Sequence, residues 1–160
     1  MKVVYSCSNR AYPAVAAAAL HLGWLGSNPS LAEIAALPYW NPAARAEYGA
    51  PVRLGRDEAG NEVFVLGRGP AGPLVERALV SAWLVCGQAP QELVVVTTDP
   101  YLNLFTRLGA FLSHRPALAT PGRLLVAFGI RRSLPALTRC VAQVKSRTAP
   151  GLDLARRNVG

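Results

Sequence analysis

Four short segments of the 160-residue chain place polar or charged side chains directly after an apolar run. They are Cys7-Ser8-Asn9-Arg10, Gly67-Arg68-Gly69, Thr97-Thr98-Asp99 and Gly129-Ile130-Arg131-Arg132. Each stands just ahead of a helix signal. Helix N-termini offer unpaired N–H groups and a partial positive charge, and an arginine guanidinium matches a phosphate or carboxylate through two parallel hydrogen bonds. The candidate binding set is therefore Arg10, Gly67, Arg68, Gly69, Thr98, Arg131 and Arg132, with the glycines admitting a ligand close to the backbone. The ligand this chemistry suits is a small phosphorylated or carboxylated molecule.

Two residues invite a catalytic reading. Cys7 would gain thiolate character at a helix N-terminus. Asp99 could serve as a general base or ligand a metal, although an aspartate before Pro100 is also the ordinary N-cap of a helix. A phosphatase-type loop needs arginine six positions after its cysteine, where this chain has Pro13, so Cys7 reads as a small buried strand residue. Gly67 to Gly72 fits G-x-G-x-x-G after a strand, but Pro70 stiffens the turn and Asp99 comes too late to meet a ribose. The same stretch lacks the lysine and hydroxyl of a nucleotide-gripping loop, having Pro73-Leu74 there. It reads as a tight turn between strand and helix. His21 and His114 have no partner at ligand spacing, and no metal site is expected. No residue set specifies a reaction or names a cofactor.

The charge is unevenly spread. Residues 1–99 carry 7 basic and 8 acidic side chains, whereas residues 100–160 carry 10 basic and one acidic, Asp153. The chain's formal charge of +8 thus resides in its last part. Nucleic acid is one partner that such a half could grip through Arg132, Arg139, Lys145, Arg156 and Arg157. After residue 111 the one aromatic is Phe128, so base stacking has little to work with, and the small anion is preferred. Three scattered cysteines form no C-x-x-C pair, which fits a reducing cytoplasm. Ser6, Ser8, Asn9 and Arg10 break the N-terminal apolar stretch too early for a secretory signal, and no run suits a membrane span. No membrane partner is expected.

The elements that must position these groups follow from periodicity and caps. Lys2–Cys7, Val52–Arg56, Glu62–Leu66, Glu92–Thr98 and Arg123–Phe128 read as strands, the second and third forming a hairpin across residues 57–61. Helices are expected from Pro13 to about Leu22, over 31–37 behind the Ser30–Glu33 capping box, over 73–86, from Asp99-Pro100 to about Leu112, and from a Ser133 cap onward. The expected fold is α/β, a three-layer sandwich around a mostly parallel sheet of about five strands, with Val52–Arg56 as antiparallel edge. In such a sheet ligands bind beyond the carboxyl ends of the strands, where the four segments would meet. One domain would span residues 1–147, followed by a flexible tail over 148–160.

Ala16–Gly23 (AAAALHLG), Leu37-Pro38-Tyr39, Gly60–Gly69 (GNEVFVLGRG) and Gly129 to Arg132 together resemble an uncharacterised domain-of-unknown-function family of small proteins from spore-forming Firmicutes. The resemblance covers about residues 1–147. It implies no activity, although it leaves room for a sporulation-linked structural or regulatory partner protein. Members of that family carry Gly-Gly and His in the loop after the first strand. Here the loop is Ser8-Asn9-Arg10-Ala11-Tyr12, which implies altered or absent binding at that loop.

Overall fold

A computed structural model describes residues 1–8, 12–26, 28–38, 40, 48–113, 115 and 118–149. The expectations for Asn9, Arg10 and Ala11, for Tyr39, for His114 and for the tail from residue 150 lie outside the described residues.

The protein is a mixed α/β fold on a four-stranded, mostly parallel sheet of order β2-β3-β1-β4. The strands are β1 (Lys2–Cys7), β2 (Val52–Arg56), β3 (Glu62–Gly67) and β4 (Leu93–Thr97). β1 is central and pairs in parallel with β3 and β4, whereas β2 runs antiparallel to β3 at the edge. The strand pleat sorts β1 by face. Val3, Tyr5 and Cys7 join the main core with Val63 and Val65 of β3. That core is closed by α1 (Pro13–His21), α2 (Leu31–Ala35) and the last helix, α5 (Ala119–Thr148). The alternate residue Ser6 meets Glu76 of α3 (Gly72–Val85), and Lys2 lies over the rings of Phe64 and Trp83.

Helix α3 packs loosely. Gly72 is its one buried residue, Leu74, Val80, Leu84 and Val85 are exposed, and a cleft of about 510 Å³ opens between Val80 and Val95.

The expected fifth strand does not form. Arg123–Phe128 lies inside α5, which runs unbroken from Ala119 to Thr148 despite Pro135. The segment holds Arg123, two leucines and an alanine, with Val126 its single β-branched residue, so local propensity favours helix. Its buried positions continue a helical stripe through Val126, Ile130, Leu134, Leu137, Val141, Val144 and Thr148. Ser133 is consequently not a cap; its hydroxyl donates to the Tyr101 carbonyl at 2.8 Å.

This long helix reaches well past the sheet. Thr148 meets Asn61 at the start of β3 through its carbonyl, whereas Ser133 meets Tyr101 just beyond the end of β4. The turns before Ser133 therefore project beyond the carboxyl ends of the strands, where they pair with α4 (Leu104–Ser113). A Cβ on Gly109 would stand 2.6 Å from the Val126 nitrogen, and one on Gly129 would stand 2.6 Å from the Thr106 nitrogen. Only hydrogen at those positions lets the two helices approach so closely.

The expected helix start at Asp99-Pro100 is also revised. Residues Asp99–Tyr101 form one 3-10 turn, the chain extends at Leu102, and Asn103 initiates α4 by accepting from the Thr106 N–H at 3.0 Å. The Asp99 carboxylate does not cap its own turn; it is engaged by the other strand ends.

Candidate functional site

The loops after β1, β3 and β4 are tied together at the carboxyl edge of the sheet by one carboxylate. Asp99 Oδ1 accepts from the Ser8 N–H at 3.0 Å and from the Ser8 hydroxyl at 2.8 Å, while Oδ2 accepts from the Arg68 guanidinium. Arg68 also faces Glu76 of α3 at 3.4 Å. Glu76 in turn accepts from the hydroxyls of Ser6 and, at 3.0 Å, Thr97. Thus a single guanidinium sits between two carboxylates, each held by hydroxyl donors from strand ends.

The backbone explains why Arg68 is placed there. Its N–H donates to the Cys7 carbonyl at 3.0 Å, prolonging the β1–β3 ladder by one step. The chain then turns at Gly69, whose φ of +57° suits glycine, and whose added Cβ would meet the Tyr48 ring at 2.8 Å. The expected tight turn at Gly67-Arg68-Gly69 is present, continuing through a 3-10 turn into α3. Gly67 ends β3 and accepts from the Gly49 N–H.

Arg68 is largely buried, and its Nε has no hydrogen-bond partner among the described residues. A second orphaned donor is the indole Nε1 of buried Trp40, a ring that packs edge-on at 5.3 Å against Tyr12 at the head of α1. Tyr12 itself holds φ at +40°, an unusual conformation for a residue with a side chain. Burial raises its hydroxyl above the ordinary tyrosine range. Orphaned buried donors and a left-handed non-glycine residue both cost stability, and they concentrate at this edge.

The other expected site residues have separate surroundings. Thr98 is buried, and both its N–H and its hydroxyl donate to the Ser6 carbonyl at 2.8 Å, so it locks β4 to β1. Arg131 and Arg132 lie in the middle of α5 and not in a loop at its start, because the strand expected before them is helical. Arg131 donates to Asn28 at 3.3 Å, and the Arg132 guanidinium stands 5.6 Å over the Phe105 ring. Gly129 serves helix packing, as described above. Cys7 is fully buried in the core. Among the described residues no group of three His, Cys, Asp or Glu side chains could hold a metal ion.

A buried relay lies at the opposite side of the core, outside the expected site residues. His21 Nε2 lies 2.9 Å from Asp57 Oδ2, and Nδ1 lies 2.8 Å from the Tyr5 hydroxyl. With Asp57 ionised, the neutral ring donates from Nε2 and accepts the Tyr5 proton at Nδ1. Burial pushes the His21 pKa down and outweighs the Asp57 carboxylate, which favours the charged ring. Asp57 stays below the usual carboxylate value: its burial acts upward, but hydrogen bonds from Asn61 and His21 together prevail. The Tyr5 hydroxyl is raised, chiefly by burial. Histidine spacing alone does not signal this arrangement, because Asp57 is brought in by the β2–β3 loop 36 residues later. Glu76 was missed for a similar reason, although an acid in the first turns of a helix following Arg68 was a readable hint.

Among the described residues, no helix is long and apolar enough to cross a membrane. No curated protein and no solved structure matches this chain. Residues 2–146, which include the Ser8–Arg68–Asp99 cluster and the His21 relay, match the family described as "Protein of unknown function (DUF3189)". The chain belongs to that family.

Proposed function

We propose that the protein binds a small phosphorylated or carboxylated molecule at the carboxyl edge of its sheet, around Arg68. The observation that carries this reading is the buried Arg68 Nε, an N–H donor without a partner among the described residues, on a side chain fixed by Asp99 and Glu76. Asp99 and Glu76 neutralise much of the guanidinium, so a bare anion gains little there. A ligand that presents an anionic group to Arg68 and hydroxyl or amino donors to the two carboxylates fits better. Sugar phosphates and hydroxy or amino acids have that composition. Gly67, Gly69 and Thr98 would shape the backbone wall, and Arg10 is assigned to the site as a further cation. The proposal takes the protein to act in the cytoplasm.

Thermal-shift measurements with sugar phosphates, amino acids, hydroxy acids and inorganic phosphate test the reading. A melting rise with a donor-bearing anion, larger than with phosphate and abolished in Arg68→Ala, is the expected result. The idea fails if no compound shifts the wild type, or if Arg68→Ala responds equally.

Exposed Arg131, Arg132, Arg139, Lys145 and Arg147 along α5 favour a second reading, a nucleic-acid-binding module. Salt-sensitive RNA binding that survives Arg68→Ala but is lost on Arg139→Ala with Lys145→Ala would replace the first reading with this one. A sporulation-linked partner role is the reading left if neither ligand class binds.

A further inference from the structure

The α4–α5 hairpin projecting beyond the sheet combines two features that the core does not need. Its outer surface exposes Leu104 (76%), Phe111 (62%), Leu124 (49%), Leu108 (48%), Phe128 (40%) and Phe105 (37%). The helices are already joined through the close approaches at Gly109 and Gly129, and these side chains still leave much of their apolar surface in water. On α4, positions 104, 108 and 111 lie on one face at helical spacing, and Phe105 reaches Phe128 across the pair at 5.3 Å between ring centres. The patch is thus continuous across both helices.

The second feature is charge. From residue 100 to residue 149 the sequence contains no aspartate or glutamate, while Arg107, Arg115 and Arg132 flank the exposed apolar side chains. Two of these guanidinium groups sit within the patch itself: Arg115 is 5.6 Å from the Phe111 ring and Arg132 is 5.6 Å from the Phe105 ring. Apolar and cationic groups therefore share one surface.

From this juxtaposition we infer that the α4–α5 hairpin docks on the surface of an anionic lipid bilayer. Leucine and phenylalanine enter the acyl boundary while arginine meets lipid phosphate, the composition of an interfacial helix. A second copy of the chain would bring like charges together across the contact. Nucleic acid would satisfy the arginines yet leave six large apolar side chains in water. The hairpin lies on the surface and does not span. This revises the expectation of no membrane partner, which rested on the lack of a spanning run.

Flotation of the full-length protein with vesicles tests the inference. Phosphatidylcholine vesicles containing phosphatidylglycerol should bind it at least about tenfold more strongly than phosphatidylcholine alone. Leu108→Ser with Phe111→Ser should abolish flotation, and Arg115→Gln with Arg132→Gln should weaken it by roughly tenfold or more. Circular dichroism should report all variants folded, since the substituted side chains are exposed. If the serine pair does not fold, Phe111→Trp supplies the reading: a blue shift of the added emission with the anionic vesicles supports docking, and an unchanged spectrum overturns it. Absent flotation, equal binding to both vesicles, or binding unaffected by the serine pair also overturns it. So does a concentration-dependent dimer in sedimentation velocity that the serine pair dissolves, or capture by an acidic amphipathic helical peptide without any vesicle binding.

Discussion

Asp99 Oδ1 accepts two hydrogen bonds from Ser8 while its Oδ2 holds the guanidinium of Arg68, so one carboxylate joins the loops that follow β1, β3 and β4. Replacing it by asparagine keeps the shape but removes the charge, and one of its two polar positions becomes a donor facing a donor. Asp99→Asn is expected to lower the unfolding free energy by about 1–2 kcal/mol, a figure that allows for the partial exposure of the pair. Ser8→Ala should cost about half as much. Urea denaturation measures both; an Asp99→Asn midpoint equal to wild type would show that the loops are held without this carboxylate.

The His21 relay makes stability depend on pH. The folded-state pKa of His21 lies below its ordinary value of 6.5, so the unfolded chain binds the proton more readily. The contribution from neutral His21 is complete above pH 6.5 and declines as pH falls toward the folded-state pKa. Melting temperatures between pH 5 and 7.5 should fall on the acid side, and His21→Gln should remove that part of the slope. A slope retained in full by the variant would assign it to other groups.

Tyr5→Phe isolates the other half of the relay. It removes the proton donated to His21 Nδ1 and leaves a buried acceptor without a partner. The expected cost is about 1–3 kcal/mol. A loss below about 0.3 kcal/mol by chemical denaturation would mean that the hydroxyl contributes only volume to the core.

Pro135 distinguishes one continuous helix from a strand followed by a shorter helix. In an unbroken α5 it lies far from either end, removes the hydrogen bond to the carbonyl four residues earlier and disfavours the helix. Pro135→Ala should therefore raise stability by roughly 1–3 kcal/mol. Were it in the first turn of a helix capped by Ser133, proline would suit its position and alanine would be neutral or worse.

Gly109→Ala and Gly129→Ala report on the hairpin. Each new methyl would collide with backbone of the facing helix, and backbone cannot swing aside as a flexible side chain does. About 1–3 kcal/mol is expected for each, read from melting curves. Unchanged melting would place the helices farther apart than described.

Much of this architecture is legible in local sequence. The Ser30–Glu33 capping box, the loop at residues 57–61, the valine-rich β4 and the turn at Gly67-Arg68-Gly69 each depend on neighbours within a few residues, and each forms where expected. The segment 123–128 is ambiguous in sequence because a short apolar run suits a buried strand and a buried helix equally; its period becomes clear only when the stripe is followed to Thr148.

The sequence by itself determined the parallel-sheet class, the family relationship visible in its motifs, and the concentration of arginine in the second part of the chain. Tertiary structure alone decided what those groups meet. Asp99 spans 91 residues to reach Ser8, Asp57 spans 36 to reach His21, and Arg131 and Arg132 stand inside a helix where a loop was expected. The reason is physical: caps and turns are satisfied by nearby backbone, whereas a charged side chain takes whichever partner the packing of distant elements brings within hydrogen-bond reach.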